Sequence, residues 1–558
     1  MASFVRISAL LWADLLAAFA MYVMVNYLIN VWNLNTTHAA GIINIWNGMT
    51  AVLAIVFAFF VDAFMGDFYM LLLSSIAYTI GLGLLSMSTP PVLGPCSEYK
   101  EKCIGHTQKV LFFTALPLIG VGMAGHVVSL LPFLDLQTKN ENEDKDNDKD
   151  KDKDKDNNRN NGEDKDGNKI FWQIAGLLIV VVVLIAGGIV LPYIKPWSLR
   201  FGIPAICTLV ATLLFVSGYS VYKPCKPPEG SPLTVTLRVF VAFARKISQP
   251  VRDPKELYND EDARSTSSLR CLDKAAIKLP EEQQSKSWTL CSVREVEDTK
   301  IGIRLVPMWL TFIVIGIVLS IGNTYFLEQA NRMDRKLGKI KITIPIFLLF
   351  FQFSSGVSAY FYSILTMCFN KKYAPPVGIA TSMVLAVLCC ITAAKVETRR
   401  LHVIRDHGLL DKPDEKIPMS IFWLLPQFML LGAVDGIANT SITGFFKHQA
   451  PESMRKYLTY FTKGVLGLGT MASVLSVYVV GKVSERNQRR NWFQASLNQS
   501  RLDRYYWTLA GLSAVNLIFY IVIAVFYKYK ESPDDDGDDE AGGGNMDEGF
   551  QDNAKCCC

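Results

Sequence analysis

The chain has 558 residues, half of them hydrophobic, and its 56 Lys and Arg nearly balance its 51 Asp and Glu, leaving a formal net charge of +5. Its mean hydropathy is nevertheless positive, at +0.24, so the charges are gathered in a few segments and long apolar runs remain, which argues against a soluble enzyme. With no contiguous basic patch there is also no footprint for nucleic acid.

A helix rising about 1.5 Å per residue needs roughly 20 apolar residues to cross about 30 Å of hydrocarbon. In chain order, windows that satisfy this lie near 7–31, 40–61, 68–89, 110–136, 170–194, 198–219, 303–325, 342–366, 374–394, 418–446, 458–481 and 505–528. In lipid each must satisfy its own backbone groups, so each reads as a helix. The first is too long for a signal-peptide core and reads as the first span. The expected fold class is an all-α membrane protein with twelve transmembrane helices in two six-helix bundles, residues 1–222 and 301–530. A central cytosolic loop, 223–300, joins them, the layout of two bundles about a midplane cavity.

That loop carries Arg245, Lys246, Arg252, Lys255, Arg264, Arg270, Lys274 and Lys278, which by the positive-inside rule places it and both termini in the cytosol. Arg399, Arg400 and Arg405, with Arg486, Arg489 and Arg490, run against the rule, in loops that the even count puts outside. Residues 138–169 alternate Lys and Asp with nothing to bury, and are expected to form a disordered cytosolic loop. Residues 531–558 are expected to be an acidic, disordered cytosolic tail. It ends in Cys556, Cys557 and Cys558, a candidate lipidation site. Cys96 and Cys103 share an external loop and are a candidate disulfide. Asn35 and Asn498 open Asn-X-Ser/Thr sequons in loops expected outside, and are candidate glycosylation sites. Cys207, Cys368, Cys389 and Cys390 read as small apolar core residues. No spacing suggests a metal or a cofactor, and no nucleophile–base constellation suggests an enzyme.

Several motifs are specific. They include Leu272-Asp273-Lys274-Ala275-Ala276-Ile277, Trp288-Thr289-Leu290-Cys291 and Val296-Glu297-Asp298-Thr299-Lys300, followed by Pro307 and Trp309. Trp46-Asn47-Gly48, Phe201-Gly202-Ile203-Pro204-Ala205-Ile206, Ser420-Ile421-Phe422-Trp423-Leu424-Leu425-Pro426-Gln427 and Gln449-Ala450-Pro451-Glu452-Ser453 follow the same pattern. In this the chain resembles the plant nitrate and peptide transporters, the plant branch of the proton-dependent oligopeptide transporters within the major facilitator superfamily. The resemblance implies alternating access, carrying nitrate, peptides, chelators, glucosides or hormones, usually with protons.

The family couples protons through Glu-x-x-Glu-Arg in span one and a Lys in span four. Here the first motif aligns with Leu10, Leu11, Trp12, Ala13 and Asp14, and the lysine falls near Gly125, His126 or Val127. The superfamily's gate signature after span two survives in part, with Asp62, Gly66 and an acid, Asp67, in place of its usual basic residue. The ionisable groups expected at membrane depth are Asp14, His126 and Asp435, and an acid retained there is a functional candidate. By likeness to family positions, Trp46, Asn47, Trp172, Phe326, Gln329, Trp423 and Gln427 are the candidate cavity wall.

With no fixed cation evident in the cavity, the expectation is a secondary-active or facilitative transporter of an amine-bearing or zwitterionic organic solute, without the family's proton motif. The simpler form is a facilitator. One alternative is a low-affinity transporter of nitrate or another anion, and another is a transport-inactive receptor on the same fold. The expected partners are the solute, protons where an acid couples them, and the bilayer of a plasma membrane or endomembrane.

Overall fold

The computed structural model describes residues 2–90, 92, 104–151, 176, 178–194, 196–223, 231–247, 269–277, 291–368, 373–412, 415–486 and 490–527. Among them, ten helical stretches are long and apolar enough to cross a membrane. One of these, Thr36–Met87, has 52 residues and would be roughly 78 Å long if straight, far beyond one bilayer. It breaks at a π-turn, Val61–Met65, followed by Gly66 at φ 71°, a backbone region that side chains disfavour. It therefore divides into two helices, each long enough to cross, and a shorter apolar helix, Leu178–Tyr193, falls below that length.

In chain order the apolar helical segments are Ala2–Tyr22 with Met24–Asn30, Thr36–Phe60, Gly66–Met87, His106–Lys151, Leu178–Tyr193, Trp197–Ser217, Val293–Ser320, Ile346–Cys368, Ala374–Asp406, Leu425–Gln449, Leu458–Glu485 and Leu502–Phe526. They are called span one to span twelve in that order, the fifth being the short one.

Two expectations change here. Span four continues to Lys151, so residues 138–151 are helical where a disordered loop was expected. The central loop is also partly ordered. Its helix Pro232–Arg245 and the 3-10 turn Arg270–Ala276 close over Leu272, Ala275, Ile277, Val293 and Val296 at the start of span seven. Lys246 Nζ donates to the carbonyls of Ala275 and Ile277 at 3.3 and 2.8 Å, and Lys300 pairs with Asp273 at 2.6 Å. The candidate disulfide Cys96–Cys103, Trp172 and the Cys556–Cys558 triplet lie outside the described residues.

Each half has its own core. Tyr27, Tyr78, Phe112 and Phe201 centre the first, and Phe312, Phe326, Phe428, Tyr505 and Tyr506 the second. The outward faces carry bare Ile206, Leu213, Val525 and Phe526, which suits hydrocarbon as the surrounding solvent. The halves meet where span two packs on span eleven and span five on span eight. Small residues set the first of these contacts: a Cβ on Gly48 would overlap Met471 and lie 2.5 Å from the Gly467 carbonyl, and one on Gly467 would lie 2.5 Å from Ala51 Cβ. Such positions let backbones approach, and the contact gains dispersion that lipid tails alone do not offer. Asn44 Nδ2 adds a hydrogen bond to Ser473 Oγ at 2.9 Å.

Because a side chain on Gly48 would run straight into the span eleven backbone, Gly48→Val should cost about 1–3 kcal/mol by overpacking. Gly511→Ala, with open space around it, should be near neutral. Melting temperatures of the two purified variants test the contrast, and equal values would show that this contact is slack.

Candidate functional site

On span two, Asn44, Gly48 and Ala51 face span eleven while Trp46 and Thr50 face span four. At 100° per residue, Asn47 falls between those two faces, on the side opposite the lipid-exposed Ile45 and Met49. Span eleven shows the same division. Gly464, Gly467 and Met471 meet span two, Leu466 and Gly469 meet span seven, and Lys463 stands between them, away from exposed Leu468 and Leu475. Asn47 and Lys463 thus face the space between the halves. Lys463 is a cation within span eleven, in the second turn after its start at Leu458, that the sequence reading did not count among the ionisable groups of the spans. Its signal was plain: a lysine within the 458–481 window.

Asp435 lies ten residues into span ten, roughly 15 Å from its start and so near mid-bilayer. Glycines one turn before it and immediately after it hold the site close to span eight: a Cβ on Gly432 would lie 2.5 Å from the Phe351 carbonyl, and one on Gly436 would overlap Ser355. That approach lets Ser355 Oγ donate to Asp435 Oδ2 at 2.9 Å, while Asn439 Nδ2 donates to Oδ1 at 2.8 Å. Lys463 acts on this carboxylate electrostatically. The Thr443–Thr462 contact at 3.2 Å sets the register and places Lys463 about two turns, roughly 12 Å, further along the helix axis. The two charges share a space without closing on each other.

The first half holds a second polar site. His126 Nδ1 lies 2.9 and 2.8 Å from the two Asp14 oxygens, and Nε2 lies 2.8 Å from Ser75 Oγ. Ser75 Oγ is also 2.6 Å from the Leu71 carbonyl. The His126 side chain is 2% exposed and the Asp14 side chain 23%. Three spans, one, three and four, meet in this group, and the Tyr78 ring stands edge-on to the imidazole at 5.6 Å.

The residues expected at a gate link the two halves at the end of span two. Tyr457, just before span eleven, donates to Asp62 Oδ2 at 2.6 Å and lies 2.9 Å from Ser231 Oγ. Tyr460 donates to the Val128 carbonyl at 2.9 Å, and Lys456 Nζ is 4.0 Å from Asp62. The latch is therefore a phenol on a carboxylate more than a salt bridge. Burial, then donation to Asp62, pushes the Tyr457 phenol far above its ordinary range, so it remains a donor. Asp67 follows in the first turn of span three, with Asp62, Ser129 and Lys456 as its polar neighbours.

Other expected wall residues are placed elsewhere. Trp46 is buried in the first bundle, its Nε1 donating to the Leu116 carbonyl at 2.8 Å. Phe326 is fully buried between Phe428 and Tyr506. Gln427 donates to Gln329 and Gln329 to Glu397, at 3.2 and 2.6 Å. Glu397 in turn accepts two bonds of 2.7 Å from Arg400, whose side chain is wholly buried. These groups satisfy one another inside the second bundle. Trp423 lies on the surface under Arg399, whose guanidinium is 3.9 Å from its ring centre. Asn498 is 3% exposed, accepting from Arg400 and donating to the Leu409 carbonyl at 3.2 Å. A glycan there has no room in this fold, whereas Asn35 is exposed. Of these residues, Gln329, Gln427 and Asn498 belong to the Glu397–Arg400 network, while Trp46 and Phe326 pack inside a bundle and Trp423 lies at the surface.

A helical membrane protein with charged groups turned to the space between two halves has the architecture of a transporter and not of an enzyme. The POT family model matches residues 68–493, and the chain belongs to that family. It is 38% identical over 549 residues to Protein NRT1/ PTR FAMILY 5.5 of Arabidopsis thaliana, covering 95% of this chain and 97% of that one. It is 31% identical to Protein NRT1/ PTR FAMILY 5.4 of the same plant, with 93% of each covered. Among solved structures, an auto-inhibited POT family peptide transporter superposes with a TM-score of 0.60 at 16% identity, covering 95% of this chain and 98% of that one. A POT family transporter in complex with 5-aminolevulinic acid gives 0.56 at 11%, covering 94% and 95%. These likenesses show the fold.

Proposed function

We propose that this protein carries an amine-bearing or zwitterionic small organic solute across a membrane by alternating access, binding it between Asp435 and Lys463. The carrying observation is the Asp435 carboxylate, oriented by Ser355 and Asn439, with the Lys463 ammonium facing the same space. A solute ammonium on Asp435 and its carboxylate toward Lys463 would replace the water that each charge loses at depth. Asn47 stands on the wall between them and the first half. Family membership supports transport of small solutes. Charged side chains inside spans cost a few kcal/mol by insertion scales, and solute binding gives both of these a use.

Lys463 also favours a second reading, a small anion such as nitrate held by that lysine alone. The two separate by substitution. Uptake of a panel of nitrate, dipeptides, basic amino acids and zwitterionic chelators is measured in oocytes with surface expression confirmed. On the favoured reading, Asp435→Asn lowers amine uptake about 10- to 100-fold, the scale of a lost hydrogen bond to a charged group. Lys463→Gln weakens zwitterions while sparing simple amines. Nitrate uptake that survives Asp435→Asn and is lost in Lys463→Gln would install the anion reading. No uptake of anything by the parent at the surface would leave a receptor on a transporter fold.

A further inference from the structure

We propose that the end of the molecule opposite the Tyr457–Asp62 contact carries a binding site for a small phosphate-type oxyanion, built from Arg200 of the first half with Arg335 and Lys341 of the second, and that the bound anion ties the halves together there. The site is separate from the space between Asp435 and Lys463, and its occupancy does not depend on which solute is carried.

The second half contributes a cationic hairpin between spans seven and eight. Lys336–Leu337 pairs antiparallel with Ile340–Lys341 around Gly338, whose φ of 60° lies in the left-handed region that favours glycine. From Met333 to Lys341 the sequence holds four cations, Arg335, Lys336, Lys339 and Lys341, against one acid, Asp334. The register sets Lys336 directly opposite Lys341, and like charges in that relation destabilise a ladder. Lys416, before span ten, feels the same excess. Its ammonium is lowered from the ordinary value, first by burial and next by Arg335 and Lys341, each of which outweighs the attraction of Asp334.

The hairpin forms one side of a cavity of about 230 Å³, and the first half forms the other, with Asn26 of span one, Tyr193 at the end of span five, and Trp197 and Arg200 in the first turn of span six. Two hydrogen bonds already join the halves here. Tyr193 Oη donates to the Lys341 carbonyl at 2.6 Å, and Thr343 Oγ1 donates to the Gly188 carbonyl at 2.9 Å. Arg200 is held in place: one terminal nitrogen donates to the Pro192 and Ile194 carbonyls at 2.9 and 2.8 Å, and the guanidinium lies 4.1 Å from the centre of the Trp197 ring. Arg335 lines the cavity from the hairpin, its Nε buried without a hydrogen-bond partner. Burial, opposed by Tyr193, pushes its guanidinium below the ordinary value.

These groups call for an anion. An arginine stays protonated at any working pH, so Arg335 cannot shed the charge that burial penalises. Among the described residues no carboxylate lies within ion-pair distance of Arg335 or Lys341. An oxyanion has several acceptor oxygens and can take donors from Arg335 and Lys341 on one side and Arg200 on the other. The cavity is smaller than the roughly 300 Å³ at which sites for drug-sized molecules begin, which fits an ion of phosphate size better than a peptide. Asn26, 3% exposed, adds an Oδ1 without a partner, an acceptor suited to the hydroxyl of hydrogen phosphate. An anion that bridges the halves binds best when this end is closed, so it shifts the population away from the state open at this end.

The test uses purified full-length protein in detergent and in nanodiscs of phosphatidylcholine with or without phosphatidylglycerol, because a lipid phosphate offers the same chemistry as the free ion. Melting temperature is followed as inorganic phosphate replaces chloride at constant ionic strength. The parent should gain a saturable stabilisation. Arg335→Gln should weaken the apparent affinity about 10- to 100-fold, the scale of a lost hydrogen bond to a charged group. Lys341→Gln, at an exposed position, should weaken it in the same direction, and Lys482→Gln, on span eleven, should leave it unchanged. A gain from phosphatidylglycerol that is lost in Arg335→Gln, without a response to free phosphate, would keep the site and make a lipid its occupant. Hydrogen exchange reads the tie: phosphate should slow exchange both in the hairpin and around Tyr193, and slowing on one side alone would overturn the bridging role. No response of the parent to either source of phosphate, or a response that both Arg335→Gln and Lys341→Gln retain in full, would overturn the site. Should Arg335→Gln fold poorly, Lys341→Gln and the exchange data on the parent decide the matter. These are measurements of binding, so their failure leaves the transport reading standing, and a parent that carries no solute would overturn that reading without touching this site.

Discussion

Hydrocarbon offers no partner to a polar group, and this single constraint orders the molecule from backbone to site. It forces the chain into helices that close their own hydrogen bonds, and it then acts on every polar side chain those helices carry inward. Arg400 is fully buried because Glu397, Asn498 and the Leu497 carbonyl take its donors. Glu397 is tolerable because Gln329 and Arg400 satisfy it, and Gln427 closes the row. Such a network specifies how four segments of the second bundle meet, and it does so without any solute.

The same constraint divides the interfaces into two kinds. Within each half, spans pack through aromatic and branched side chains over long contacts, as Phe326 does with Phe428 and Tyr506. Between the halves, spans two and eleven approach through Gly48, Ala51 and Gly467. Packing on small residues can be close and yet involve few interlocked side chains, so such a seam can slide or part more readily than a core. The contacts of Tyr457 with Asp62 and Ser231 lie at one end of that seam, where they tie the halves by a few hydrogen bonds.

The spans were legible because length and hydropathy are nearly sufficient evidence for a helix in lipid. Where they misled, the cause was local: span four continues into the Lys/Asp stretch as a helix, and the central loop finds a small core of its own. The sites were legible only in part. Asp14, His126 and Asp435 could be named singly, since an ionisable residue in an apolar run stands out. That Asp14 and His126, 112 positions apart, share a hydrogen bond follows from packing and no periodicity reports it. Gln329, Trp423 and Gln427 went astray for the opposite reason, because a motif records that a residue is needed and not whether solute or protein needs it. Arg400 illustrates the same limit: as a sequence letter it counted against the expected orientation, yet its charge is neutralised inside the protein and does not belong to a loop.

Two polar groups, one in each half, show how the same constraint has two outcomes. Asp14, His126 and Ser75 are in mutual contact and satisfy one another, so nothing further is needed to make them tolerable in a low dielectric. Asp435 and Lys463 are held about two turns apart by the register of spans ten and eleven, and charges held apart must be either hydrated or bridged. On the proposed reading a solute carrying both charges bridges them, and the loaded carrier is then the form in which the inner space is least costly to seal from water.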